Sequence, residues 1–109
     1  MRLMTWEQKL EAMIALLRFG GDASLHMRAP GDWYARLSYV EIKRGCMLES
    51  ACGNGDSPQN AVENLWVKVT DDLEMDNYLV INAYDGGGER RAVRWNGFMW
   101  ATVQEEKAS

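Results

Sequence analysis

Apolar residues near the start of the chain repeat with the period of an amphipathic helix. The stripe consists of Trp6, Leu10, Met13, Ile14 and Leu17. These positions share one face at 3.6 residues per turn. Thr5 and Gln8 have the spacing of a capping box, and Gly20-Gly21 offers the left-handed residue with which many helices end. The pattern predicts a first helix that begins after Thr5 and ends at Gly20.

A second apolar stripe follows Ser57-Pro58 and predicts another helix. It consists of Ala61, Val62, Leu65, Trp66 and Val69. Ser57 suits the N-cap because its hydroxyl accepts a backbone N–H, and Pro58 suits the first helical position because its missing N–H costs nothing there. The four acids of the 71–76 segment oppose the helix dipole and help to end this helix. We interpret them as a solvated connection, with an acidic patch for a basic partner as the alternative.

Alternation of apolar and polar residues predicts strands between the two helices. From Trp33 the apolar positions alternate up to Tyr39 and then change phase to Val40 and Ile42, which predicts a β-bulge near Tyr39-Val40. Residues 22–32 have no clear period, so a short strand over 24–28 is left open, and a turn is predicted over 29–32. The next strand is predicted over 46–52, and the Gly-Asn-Gly-Asp sequence of 53–56 is predicted to form a loop.

The C-terminal part of the chain predicts three more strands. The continuous β-branched and aromatic run of 78–84 suits a central strand that is buried on both faces. Asn96-Gly97 lies between two alternating runs and predicts a hairpin with a two-residue turn, in which position 95 pairs with 98 and 93 with 100. One face then carries Val93, Trp95, Phe98 and Trp100, and the other carries Arg90, Arg94, Met99 and Val103.

Together these elements predict a single α+β domain of two layers, with two helices packed on one face of an antiparallel sheet of about five strands. A chain of 109 residues is long enough to bury a core of its own. The domain is predicted to cover residues 1–103, and residues 104–109 are predicted to form a disordered tail.

Charge and cysteine content indicate which partners this protein can bind and in which cellular compartment it acts. The net charge is −4, and ten of the sixteen acidic residues lie in 55–109, so nucleic acid is disfavoured as a partner. Cys46 and Cys52 fit no common zinc or redox spacing, and a single strand would hold them too far apart to bridge. With no signal-peptide core and no long apolar run, we expect a soluble cytoplasmic protein and no membrane contact.

The sequence carries no motif of catalysis or cofactor binding. His26 is the single histidine, and it has no cysteine or carboxylate partner at the spacing of metal ligands. Nucleophile-elbow, phosphate-loop and EF-hand patterns are absent from the sequence. We therefore expect no catalytic residue, no metal site and no cofactor.

Two groups of residues remain as candidate binding sites. In the first, Arg90, Arg91 and Arg94 lie close in sequence to the hairpin tryptophans, so guanidinium groups and aromatic faces could together hold a nucleotide. The predicted pairing leaves only Arg91 on the tryptophan face. We therefore favour a core hairpin whose outer face, with Arg90, Arg94 and Met99, is open to a partner.

The second group is an aromatic surplus that exceeds the needs of a small core. It consists of Trp33, Tyr34, Tyr39 and Tyr84, to which the apolar Met47 is added. Aromatic residues, methionine and arginine are enriched among the anchors of protein interfaces. Trp33 and Tyr34 therefore join the hairpin arginines and Met99 as candidate binding residues.

Three segments resemble a small family of uncharacterised proteins from tailed bacteriophages and prophages. They are Pro30-Gly31-Asp32-Trp33-Tyr34; Gly53-Asn54-Gly55 and Ser57-Pro58 followed by the AVENLW sequence of 61–66; and the RAVRWNGFMW sequence of 91–100. The likeness covers about residues 30–103, implies a place of action in the host cytoplasm, and brings no activity with it. The order of two strands, a Gly-x-Gly-x-Ser-Pro segment and a helix is also similar to the partial double-stranded-RNA-binding-like fold of HicB-type antitoxin domains.

These observations lead to three hypotheses of function. The first is a phage accessory protein that acts without catalysis by binding a host or phage protein, with a component of host defence as one such partner. The second is a protein that binds or sequesters a nucleotide or another small ligand. The third is an RNA-binding or antitoxin-like module. The oligomeric state is left open, a homodimer included.

Overall fold

Three strands lie between the two helices and three follow them. The computed structural model describes residues 3–44, 47–70, 78–82 and 91–103. The helices are α1 (Trp6–Ile14), which continues as a short 3₁₀ helix (Ala15–Phe19), and α2 (Pro58–Thr70). The strands are β1 (Asp22–Ala29), β2 (Asp32–Arg44), β3 (Met47–Gly55), β4 (Tyr78–Ile81), β5 (Arg91–Trp95) and β6 (Trp100–Thr102).

Within the described ranges, the six strands form one antiparallel sheet, and residues from both helices and from one face of the sheet make up a single buried cluster. The predicted α+β architecture is confirmed. The sheet has one strand more than expected because the 24–28 segment belongs to a full strand, β1.

β2 is the strand around which the sheet is organised. β3 pairs with β2 at both ends of its length, whereas β1 pairs with β2 up to Ser38 and β4 pairs with it from Val40. The change of partner falls at Tyr39, whose φ of 65° lies in the left-handed region. The β2–β3 register also shifts between Leu37 and Glu41. The predicted β-bulge is therefore confirmed, and it lets β1 and β4 share the edge of β2 that β3 leaves free.

α2 matches its prediction closely. All five residues of the predicted stripe are buried. The Asn60 backbone N–H donates to the Ser57 hydroxyl oxygen at 3.1 Å, so Ser57 acts as the N-cap. At the other end, the Arg44 guanidinium donates to the Lys68 carbonyl oxygen at 3.2 Å. Side chains therefore satisfy backbone groups at both ends of the helix.

The predicted loop over 53–56 is wrong for its first three residues, which extend β3 to Gly55. Glycine is required there because α2 lies directly on the strand. A Cβ atom on Gly53 would lie 2.6 Å from the Leu65 nitrogen and 2.8 Å from the Ala61 carbonyl oxygen. A Cβ atom on Gly55 would collide with the Ala61 nitrogen. These glycines mark a close approach of helix to strand, and not a turn.

The start of α1 is confirmed, but its stripe is partly wrong. Thr5 and Gln8 form the reciprocal hydrogen bonds of a capping box, at 2.9 and 3.2 Å. Ile14 and Leu17, predicted to be buried, are exposed, and Leu16 is buried in their place. From Ala15 the 3₁₀ helix aligns residues three positions apart, which keeps Leu16 on the side of the buried Met13 and turns Leu17 away from it.

Within the described residues, the C-terminal strands keep their predicted order but differ from the prediction in register. β4 ends at Ile81, and Leu79, Val80 and Ile81 are buried in succession, as expected for a strand covered on both faces. The predicted hairpin register is wrong, because Trp95 pairs with Trp100 and leaves a loop of four residues. The shift is two residues, so both tryptophans stay on one face. Phe98, predicted to lie on that core face, is displaced into the loop.

Several predicted features lie outside the described residues. They are Cys46, the acidic 71–76 segment, residues 83–84 of the predicted 78–84 strand, Arg90 and the 104–109 tail. Cys52 is a half-buried free thiol. Among the described helices, none is both long and apolar enough to cross a membrane.

Candidate binding groove

The loop between β5 and β6 holds two apolar side chains away from the core. The Asn96 backbone N–H donates to the Met99 carbonyl oxygen at 3.0 Å. The Asn96 side-chain oxygen accepts the backbone N–H groups of Phe98 and Met99, each at 2.9 Å, and Gly97 adopts a φ of 103°. Three hydrogen bonds thus define the loop, and they leave Phe98 79% exposed and Met99 50% exposed.

Three tryptophans form a support beneath this loop. The ring centres of Trp66, Trp95 and Trp100 lie 5.0 to 6.1 Å apart, and the rings meet edge to face. The Trp100 indole N–H donates to the Ala12 carbonyl oxygen at 2.7 Å. β6 is therefore tied to α1 as well as to β5.

A groove of about 340 Å³ runs between α1 and the loop. One wall is the helix face of Gln8, Glu11, Ala12, Ala15 and Arg18. The other wall is formed by Met4, Trp95, Gly97, Phe98, Met99 and Trp100. The alanines leave space that larger side chains would fill, and the groove is apolar along most of its length. We call this feature the α1 groove.

Phe98 stands between the α1 groove and a second depression of about 440 Å³. The second depression is lined by Leu3, Met4, Lys9, Trp66, Trp95, Gly97 and Phe98. Because Met4 and Phe98 line both features, the protruding ring is flanked by a recess on each side. This surface therefore presents both a projection and cavities that could receive one.

Charged groups lie along the α1 groove and the second depression. Lys9 forms an ion pair with Glu63 at 2.6 Å. Glu11 and Arg18 are exposed, and neither forms an ion pair with a described residue. In the part of the chain that the structure describes, no three His, Cys, Asp or Glu side chains lie close enough to hold a metal ion. The arrangement is suited to binding an apolar group.

Of the sequence-predicted binding residues that the structure describes, Met99 lines this groove, together with the hairpin tryptophans Trp95 and Trp100. Arg91 begins β5 and is exposed, whereas Arg94 is half-buried and projects from the opposite face to Trp95, because neighbouring residues alternate along a strand. Arg90 lies outside the described residues. Arg94 and the tryptophans therefore lie on opposite faces of the hairpin, as the sequence predicts.

Trp33 and Tyr34 lie in the half of β2 that pairs with β1 and β3. Trp33 packs against the core, and Tyr34 contacts the ring of His26 at 5.3 Å and the Arg28 guanidinium at 4.8 Å. Hydrogen bonding to the Cys52 thiol, with a further effect of burial, raises the pKa of Tyr34 above its usual value of 10. These contacts form a separate surface cluster.

Sequence reasoning missed Met4, Ala12, Ala15 and Phe98 as groove residues. Phe98 was assigned to the core by the assumed turn length, and the alanines carry no signal without knowledge of what packs beside them. The sequence does contain one indication of the groove. Ala12 and Ala15 lie outside the apolar stripe of α1, on the same side as the polar Gln8 and Arg18, and small residues on a polar helix face allow another surface to approach the helix closely.

Comparison with known proteins adds nothing to this assignment, because no family model, curated protein or solved structure matches the chain.

Proposed function

We propose that this chain is an accessory protein of a phage or prophage that acts without catalysis, by binding a host protein through the α1 groove. The observation that carries the proposal is the exposure of Phe98, at 79%, beside a recess lined by Trp95 and Trp100. Aromatic residues next to well-packed pockets are the usual anchors of protein interfaces.

The loop supports this proposal because its conformation is held by its own backbone. Asn96 fixes Phe98 and Met99 through the hydrogen bonds described above. A loop that is already ordered loses little conformational entropy when a partner binds, so more of the contact energy appears as affinity. An ordered aromatic projection costs less to bind than a mobile one.

The neighbouring apolar residues extend the same surface. Leu3 is 89% exposed, and Met4 lines both depressions around Phe98. A contiguous exposed apolar surface on a small domain is a mark of an interaction site. The resemblance of three segments to phage proteins supplies the proposed origin and hence the bacterial host as the source of the partner.

A photo-crosslinking experiment tests this function. A benzophenone amino acid replaces Phe98 in one protein and Val67 in a control, because Val67 is also exposed but lies on α2 and does not line the groove. Both proteins are irradiated in lysate of a bacterial host, and the linked polypeptides are identified by mass spectrometry.

We expect a reproducible host polypeptide linked at position 98 and missing at position 67. Competition with an excess of the unmodified protein should remove that product, whereas the Phe98→Ser protein should compete poorly. A product pattern that is the same at both positions, or no host product at position 98, would refute the proposed use of the groove.

A further inference from the structure

Glu11 and Arg18 are two charges of opposite sign on the same wall of the α1 groove. Neither forms an ion pair with another residue in the described ranges, and the Arg18 guanidinium rests 4.8 Å from the centre of the Phe19 ring. Seven positions separate them, or roughly 12 Å along an α-helix that continues as a 3₁₀ helix. The groove wall therefore has an acidic end and a basic end.

Between these two charges the wall is formed by Ala12 and Ala15. Small side chains on a helix face allow another surface to approach closely. The opposite wall ends in the exposed Phe98 and Met99, which protrude from the loop. One surface thus contains a projection, a recess and two charges of opposite sign.

We propose that a second copy of this chain occupies the α1 groove, in a dimer with twofold symmetry and antiparallel α1 helices. A twofold interface uses the same patch on both copies, so every feature must meet its own complement. An antiparallel arrangement places Glu11 of each copy opposite Arg18 of the other. The twofold axis then passes midway between the two charges, near Ala15, where small side chains let the two helices approach closely.

The inference rests on the surface used by the proposed function, and it adds a form of regulation. The second copy and a host protein cannot occupy the same groove at once. The dimer is then a form in which the apolar surface is covered until a partner displaces one copy, and partner affinity should fall as the concentration of the chain rises.

Charge reversal gives a test of the arrangement. Glu11→Arg places an arginine opposite Arg18 at both ends of the interface and is expected to weaken dimerisation by about tenfold or more. Arg18→Glu should have the same effect. The double variant Glu11→Arg/Arg18→Glu exchanges the two charges and should restore the dimer. Mass is measured by light scattering after size-exclusion chromatography, at about 100 μM, where a micromolar Kd gives mostly dimer.

Glu7→Arg is the matched control, because it makes the same charge change on an exposed position of α1 that does not line the groove. A monomeric unmodified protein at that concentration would overturn the inference. So would a double variant that stays monomeric, or a Glu7→Arg protein that dissociates as readily as Glu11→Arg. Crosslinking at position 98 separates the two proposals, since a self-linked product alone supports the dimer and a host product alone supports only the proposed function.

Discussion

The Trp100 indole N–H donates a hydrogen bond to the Ala12 carbonyl oxygen at 2.7 Å, and the two residues are 88 positions apart in the chain. Trp100 is only 3% exposed, so water cannot readily replace this contact. The bond holds the last described strand against the first helix, and the α1 groove lies between these two elements. The groove therefore depends on a contact between opposite ends of the chain.

Removing this hydrogen bond should destabilise the fold. Trp100→Phe leaves the Ala12 carbonyl without the indole N–H, and we expect a loss of about 1 to 3 kcal/mol in the free energy of unfolding. Urea denaturation followed by circular dichroism measures the loss. Trp33→Phe is the control, because Trp33 is half-buried and its indole forms no hydrogen bond within the described residues. Equal losses in the two variants would show that the bond contributes nothing specific.

The contact between β3 and α2 predicts a difference between two glycines. Gly53→Ala places a Cβ against the backbone of Leu65 and Ala61, which cannot move as a side chain can, so we expect a cost of about 3 kcal/mol or more. Gly31 has a φ of 75° but open space around it, so Gly31→Ala should cost only about 1 kcal/mol. Thermal unfolding compares the two. Similar costs would mean that the helix does not lie on the strand as closely as described.

The hairpin register can be tested at Phe98. In the observed register Phe98 is exposed, so Phe98→Ala should change the free energy of unfolding by no more than about 0.5 kcal/mol. In the register expected from a two-residue turn, the same substitution would remove a core side chain and cost about 3 kcal/mol. Leu37→Ala, at a buried position of β2, gives the cost expected at a core position. Denaturant midpoints distinguish the two registers.

The environment of Tyr34 predicts a change of stability at alkaline pH. Its pKa is raised above 10 in the folded protein, so the unfolded chain loses the phenol proton first and the free energy of unfolding falls as the pH rises through that range. Cys52→Ala removes the main cause and should lower the pKa of Tyr34 toward 10. The ultraviolet absorbance of ionised tyrosine follows the titration, and Tyr34→Phe identifies the signal. An unchanged titration in Cys52→Ala would contradict this assignment.

The parts of the fold that could be predicted are those whose causes are local. The N-cap at Ser57, the proline after it and the stripe of α2 lie within a few residues of one another, and the structure confirms all three. The phase change at Tyr39 is also local, and it located the bulge. In each case the residues that determine the conformation are neighbours in sequence.

The parts that could not be predicted depend on distant residues. Gly53 and Gly55 have the composition of a turn, and only the position of α2 shows why they stand in a strand. Asn96 can form either a two-residue turn or the hydrogen-bonded loop observed, and the choice between them sets whether Phe98 is core or surface. The groove was missed because its two walls come from the beginning and the end of the described chain.

Tyr39, with its left-handed backbone conformation, divides one edge of β2 between two partner strands. β1 pairs with the residues before Tyr39 and β4 with the residues after it, so the two sets of hydrogen bonds involve different residues of β2. The β1 pairing and the β4 pairing therefore use separate segments of one edge of β2, whereas β3 spans both segments along the other edge. Amide hydrogen exchange should show protection along the shared edge that divides at residue 39, because the β4 pairing can open there while the β1 pairing stays closed.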